Sequence, residues 1–186
     1  SFYEDVELRE DGGTPPFMQT VKAALAVKLK EEIGTKSIAI REKEITALVF
    51  NRLKLIPNLH LLAENTEERL PVISFYIDGM HYNLGVRLLN DRFGIQVRGG
   101  CSCAGTYGHY LLHVSKQHSH HITDMIEHHD LSEKPGWIRM SLHPVMTNEE
   151  IEFILNSIEE LSINHRIWAN DYDYDPHEIN FVHKSN

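Results

Sequence analysis

Cysteine is scarce: Cys101 and Cys103, one residue apart, are the only two in 186 residues. A pair so close together cannot staple distant segments, which excludes a disulfide framework and makes a reducing cytoplasm the expected compartment. No apolar run approaches the roughly 20 residues of a membrane span. The opening Ser1-Phe-Tyr-Glu-Asp5 is acidic and has no apolar core of the kind a signal peptide carries. Basic stripes are missing too. Lys and Arg total 18 against 27 Asp and Glu, a net charge of −9, so nothing offers a nucleic-acid backbone the clustered cations it requires. Neither a membrane nor a nucleic acid is an expected partner. No internal repeat and no H-E-x-x-H zinc motif occurs. What remains is a globular mixture, 41% hydrophobic and 24% charged, enough for one domain with its own core and a helical extension.

In chain order, an acidic lead runs to Gly12-Gly-Thr-Pro-Pro-Phe17. Thr14 is an N-cap candidate, Pro15 suits a first helical position, and the helix Phe17 to Ile33 ends at Gly34. Val21, Ala24, Leu25, Leu29 and Ile33 lie near one face of it. A second helix is expected from Ile38 to Leu55, before Pro57. Asn58 to Leu62 reads as a short strand, and Leu70 to Ile77, rich in Val, Ile, Phe and Tyr, as the clearest one. Tyr82 to Phe93 is helical up to Gly94, and Ile95 to Arg98 alternates as a half-buried strand does. This order predicts an α+β fold: a small antiparallel or mixed sheet with helices packed on one face, preceded by an N-terminal helix. The expected divisions are 1–35, 36–170 and an acidic-aromatic tail, 171–186, that wraps the surface or is partly disordered.

Three stretches carry candidate chemistry. Gly99 and Gly100 break the strand and present Cys101 and Cys103 beside the fixed cation of Arg98. A neighbouring cation or free backbone N–H groups would favour a thiolate, the reactive form; the plainer alternative is a loop with two small, partly buried thiols. Positions 109–129 read as one helix rich in histidine. The pairs His109 with His113 and His118 with His121 can each share a helical face, and with the two cysteines they give a metal-binding alternative; solvated histidines are the plainer reading. Third, Trp137, Ile138, Met140 and Leu142 suit a buried strand with Arg139 in its middle. Such a cation needs either an acidic neighbour or a ligand. Thr147-Asn-Glu-Glu150 then caps a last helix, Glu149 to Trp168.

Arg98-Gly-Gly-Cys-Ser-Cys-Ala104 resembles the R-x-G-x-x-C-A catalytic loop of group II cysteine desulfurases and selenocysteine lyases. These belong to the class V aminotransferase family of fold-type I pyridoxal-phosphate enzymes. The resemblance implies that Cys103 is the persulfide-forming nucleophile. It also implies that Arg139, in an R-x-S strand, binds the substrate α-carboxylate, and that Thr14, in Gly-Thr-Pro, reaches the cofactor phosphate of a partner subunit. Cys101 and Ser102 stand where the family usually carries a histidine pair, which leaves its transaminase, epimerase and lyase branches open. The likeness runs from the Gly-Thr-Pro helix to the last helix and matches the C-terminal part of the family. It implies an amino-acid substrate, a homodimer in the full-length protein and pyridoxal 5'-phosphate as cofactor. The family's Schiff-base lysine has no counterpart; His183-Lys184 is the only His-Lys pair. The expectation is therefore a piece of a longer enzyme, inactive by itself, or else a binding module of the same fold.

Overall fold

A computed structural model describes residues 3–66, 68–101, 105–128 and 130–185. The chain divides into two compact units, Ser1–Ile40 and Arg41–Asn186. In the first, α1 (Val6–Glu10) is capped by Asp5, whose carboxylate accepts from the N–H groups of Glu7 and Leu8. Helix α2 (Phe17–Ile33) follows, and Gly34, at φ 89°, donates back to the Lys30 carbonyl. The expected cap at Thr14 is corrected. Pro16 is the N-cap residue, no side chain caps the helix, and Thr14 is exposed. Residues that precede a proline are disfavoured in helical geometry. Thr14 and Pro15 both precede one, so the helix starts after the second proline. None of the α2 apolar positions is buried.

Helix α3 (Thr35–Leu53) buries Ile45, Thr46, Val49, Phe50 and Leu53, all within the second unit. These side chains join a core with α4 (Tyr82–Phe93), α7 (Asn148–Trp168) and one face of a four-stranded sheet. The strands are β1 (Leu59–Leu61), β2 (Val72–Ile77), β3 (Arg98–Gly100) and β4 (Trp137–Ser141), in the order β1-β2-β4-β3. Every neighbouring pair is antiparallel, so the α+β expectation holds and the sheet is antiparallel rather than mixed. Alternation along β2 sends Ile73, Phe75 and Ile77 into the core, each at most 2% exposed. Ile138 and Met140 do the same from β4. Each such side chain contributes about 1.5–3 kcal/mol relative to an exposed one.

The Tyr82–Phe93 helix has the expected bounds. His81 caps it through Nδ1, and Gly94, at φ 68°, closes it by donating to Asn90 and Leu89 carbonyls. The following strand does not sit at Ile95–Arg98 but at Arg98–Gly100. The physical reason lies at Gly99, which packs against α4: a Cβ there would stand 2.7 Å from Asn83 Oδ1 and 2.9 Å from the Tyr82 ring. The glycines read as strand breakers are what lets this edge strand lie under the helix.

Two further corrections concern the C-terminal half. The 109–129 stretch is two helices, α5 (Gly105–Leu111) and α6 (Lys116–Glu127), separated where His113 takes φ 52° and Ser115 caps α6. The tail, expected to wrap the surface or to be partly disordered, is regular. A 3-10 turn, Ala169–Asp171, leads into a hairpin of β5 (Tyr172–Asp175) and β6 (Asn180–His183). Asn83 Nδ2 donates to the Ile179 carbonyl at 2.7 Å and Arg87 Nε to that of Phe181 at 3.0 Å, fixing the hairpin on α4.

Candidate active site

The sheet face turned away from the core is built from alternate strand residues. Across β2, β4 and β3 the register aligns Ser74 with Arg139 and Arg139 with Arg98. Directly opposed residues of antiparallel strands project to the same side. One polar row therefore crosses the middle of this face, with Arg139 half-buried at its centre and Arg98 exposed at the edge strand. The next row holds Trp137, only 4% exposed, opposite Gly100. Helix α5 covers it: a Cβ on Gly108 would sit 3.4 Å from the indole. On the far side, His60 of β1 stacks on Tyr76 with centroids 4.7 Å apart and meets Asp78 Oδ2 at 2.9 Å. Burial, and then the Asp78 charge, push the Tyr76 hydroxyl above its ordinary range.

Among the described residues, no acid partner makes Arg139 a plain salt bridge. Among the described residues, neither Arg139 nor Arg98 makes a side-chain hydrogen bond or ion pair. A half-buried guanidinium without a carboxylate is costly to keep unless a ligand supplies one, and its paired donors match a carboxylate's two oxygens.

Cys103 lies outside the described residues, as do Ser102, Ala104 and His129. Cys101 is described: it is half-buried and shares the wall of a cavity of about 120 Å³ with His109, Ser119, Ile122, Lys134 and Pro135. His109 Nδ1 faces Ser119 Oγ at 3.3 Å. The break at His113 removes the shared helical face of His109 and His113. His118 and His121 do lie side by side, centroids 6.2 Å apart, and His121 meets Glu133 at 3.4 Å. Among the described residues, no three His, Cys, Asp or Glu side chains converge as a metal site. Thr14 and Arg139 belong to different units. Sequence reasoning missed Ser74, Tyr76 and the His60–Asp78 pair. The alternation of Val72–Ile77, which puts Ser74 and Tyr76 opposite the core positions, was the signal that pointed to the first two.

A pyridoxal-phosphate site needs a lysine amine for the aldehyde, an acid for the ring nitrogen and donors for the phosphate. The strand positions of the outer face supply arginine, serine, tyrosine, histidine and tryptophan, with neither lysine nor carboxylate among them. These residues fit the anionic end of an amino acid and do not by themselves compose a cofactor site.

Comparison with known proteins follows the same lines. The family model for Aminotransferase class-V matches residues 1–154. A probable cysteine desulfurase of Halobacterium salinarum is 23% identical over 158 residues, 85% of this chain and 33% of that protein. One from Synechocystis is 28% identical over 151 residues, 80% of this chain and 31% of that protein. The chain thus spans about a third of the length of these relatives. Among solved structures, the apo cysteine desulfurase of Thermococcus onnurineus superposes with a TM-score of 0.61 at 24% identity, over 84% of this chain and 34% of that one. The Escherichia coli cysteine desulfurase CsdA gives 0.55 at 17% identity, over 81% and 31%. Both likenesses concern the fold.

Proposed function

The chain belongs to the class-V aminotransferase family, and on that premise we propose that it is the C-terminal part of a pyridoxal-phosphate enzyme that removes sulfur or selenium from an amino acid. The observation that carries this reading is Arg139, half-buried at the centre of the open sheet face with no acid of its own among the described residues. Its guanidinium fixes the substrate α-carboxylate by two parallel donors, setting pose as well as charge. Cys103, three positions beyond the end of β3 in the sequence, then attacks the substrate sulfur as thiolate. An S–S bond forms on the enzyme, the carbon–sulfur bond breaks with its electron pair left on carbon, and that carbon takes up a proton to give alanine when the substrate is cysteine.

The cofactor and its lysine come from the remainder of the longer protein, so the isolated chain is inactive. The longer protein works as a homodimer in the cytoplasm, with Thr14 directed at the cofactor phosphate bound by the partner subunit. No helix among the described residues is long and apolar enough to cross a membrane.

The test uses the longer protein purified with pyridoxal phosphate, assayed for sulfide and alanine from cysteine. Cys103→Ser should abolish sulfide release, and Arg139→Lys, which keeps the charge but loses the fork, should lower kcat/KM by roughly a hundredfold. A cofactor absorbance band without sulfide release would move the protein to a transaminase or epimerase branch. Absence of the band would leave a binding module.

A further inference from the structure

The sulfur chemistry proposed above uses Cys103 and leaves the chain's other thiol, Cys101, without a task. Cys101 follows Gly100, whose φ of 113° turns the chain out of β3. It is half-buried and forms part of the wall of the cavity of about 120 Å³ that α5, α6 and the Lys134-Pro135 segment enclose. A water molecule's share of liquid volume is about 30 Å³, so the cavity takes a sulfur atom with room to spare. Leu112, Ile122 and Ile126 make part of its wall apolar, which suits a soft, polarizable atom.

The polar part of the wall favours an anion. Lys134 is half-buried, and among the described residues its ammonium has neither an ion pair nor a hydrogen bond. His109 and Ser119 meet at 3.3 Å and both line the cavity. Among the described residues no carboxylate lines it. Tyr82, next to the thiol, is pushed up to about 12, first by burial and then by Tyr174 and by the charge Cys101 would carry. It stays a neutral phenol and brings no competing negative charge. Such surroundings favour a thiolate and, equally, the anion of a persulfide. Only Ser102 separates the two cysteines, so covalent geometry keeps their Cα atoms within about 7 Å. A sulfur atom can pass between them directly.

We propose that Cys101 is this protein's own sulfur acceptor: the sulfur that Cys103 takes from the substrate passes to Cys101, and the cavity walled by His109, Ser119 and Lys134 holds it there as a persulfide. The source of that sulfur rests on the function proposed above. The Cys101 thiol gives its proton to His109 and attacks the outer sulfur of the Cys103 persulfide. A new S–S bond forms at Cys101, the S–S bond at Cys103 breaks, and Cys103 leaves as thiolate. One sulfur atom changes place, with no net oxidation or reduction and no further reagent. Cys103 is then free for a second substrate while the first sulfur is stored.

The test is a rapid-quench measurement on the longer protein with bound pyridoxal phosphate, mixed with cysteine in the absence of any reductant. Per subunit, the wild type should form a burst of alanine twice that of Cys101→Ser, because two thiols are filled before turnover stalls. Cys103→Ser should form none. Bursts of equal, non-zero size in the wild type and Cys101→Ser overturn the inference.

A second measurement does not depend on the reaction. The same protein, given a limiting amount of inorganic polysulfide instead of cysteine, is alkylated, digested and sequenced by mass spectrometry. The added sulfur should lie on Cys101 in preference to Cys103 by about tenfold, and Lys134→Gln, which removes the cation from the cavity wall, should reduce that preference. Sulfur shared evenly, or held by Cys103, overturns the inference. The two readings fail separately. A protein that forms no alanine yet collects polysulfide sulfur on Cys101 refutes the desulfuration and keeps the acceptor site. Alanine release with the sulfur held on Cys103 does the reverse.

Discussion

Tyr172 donates its hydroxyl to the Asp91 carboxylate at 2.9 Å, joining the first residue of β5 to the last turns of α4. Burial alone would raise the Asp91 carboxyl, but hydrogen bonds from Asn90 and Tyr172 and the nearby charge of Arg87 outweigh it and hold the group below its ordinary range. On the other partner, burial and then the Asp91 bond push Tyr172 up to about 12. The bond thus depends on an ionised acid and a neutral phenol.

Removing the hydroxyl by Tyr172→Phe should cost about 1–2 kcal/mol, less than a fully buried charge-assisted bond because the Asp91 carboxylate is partly solvated. Since the folded Asp91 value is depressed, its contribution is present above the unfolded value near 4 and is lost as pH falls through the folded one. Since the Tyr172 value is raised, its contribution is whole below about pH 10 and is lost as pH rises toward 12. Hydrogen exchange of the Tyr172–Asp175 amides at neutral pH should quicken in the variant. Unchanged exchange would show that Asn83 and Arg87 hold the hairpin alone.

Gly136, just ahead of β4, has no room for a side chain. A Cβ there would stand 2.6 Å from two ring carbons of Tyr82 and 3.0 Å from the Gly100 Cα. Gly136→Ala should destabilise by about 1–3 kcal/mol, as overpacking does. Tyr82→Leu should relieve part of that cost, giving a favourable coupling in a double-mutant cycle read by urea denaturation. Strict additivity of the two changes would mean that the backbone, not the ring, yields.

Thr147 and Glu150 close a capping box on α7: Thr147 Oγ accepts from the Glu150 N–H at 3.2 Å, and Glu150 Oε2 accepts from the Thr147 N–H at 2.8 Å. Thr147→Ala should lower stability by about 1 kcal/mol, while Thr147→Ser, which keeps the acceptor, should stay within a few tenths. Equal loss in both variants, measured by thermal melting, would point to the threonine methyl rather than the cap.

That box was legible in the sequence because its chemistry is local, and so were the bounds of α4 and the alternation of β2. The features that escaped depend on distant residues. The break at His113 rests on a positive φ that no glycine announces. The shift of β3 to Arg98–Gly100 rests on α4 lying against Gly99. The tail did carry a signal: Tyr172-Asp-Tyr-Asp175 alternates with period two, and Pro176 follows. In the hairpin Tyr174 faces Phe181, ring centroids 4.5 Å apart. In the candidate site, Arg139 stood out as a cation inside an apolar strand. Its adjacency to Arg98 could not be read, because register across strands some 40 positions apart is set by the whole sheet.

His81 links this packing to pH. Its Nδ1 accepts the Asn83 N–H at 3.2 Å, which places the proton on Nε2, and Nε2 is buried without a hydrogen-bond partner among the described residues. The ring stacks on Tyr82 at 4.4 Å and tilts against Tyr174 and Phe181, both at 5.4 Å. Burial lowers its pKa, and a second proton on Nδ1 would also remove the acceptor that caps α4. Both effects have the same sign. The unfolded chain protonates more readily, so the contribution of His81 is whole above about pH 6.5 and is lost as pH falls through the lower folded value. His81→Asn keeps a capping acceptor without a titrating ring. Across about pH 8 to 5, the stability difference between the wild type and this variant, from chemical denaturation, should shift steadily against the wild type as the solution becomes acidic. Parallel curves over that range would show that His81 takes up its proton equally in the folded and unfolded chain, and the acid sensitivity would then belong to other histidines.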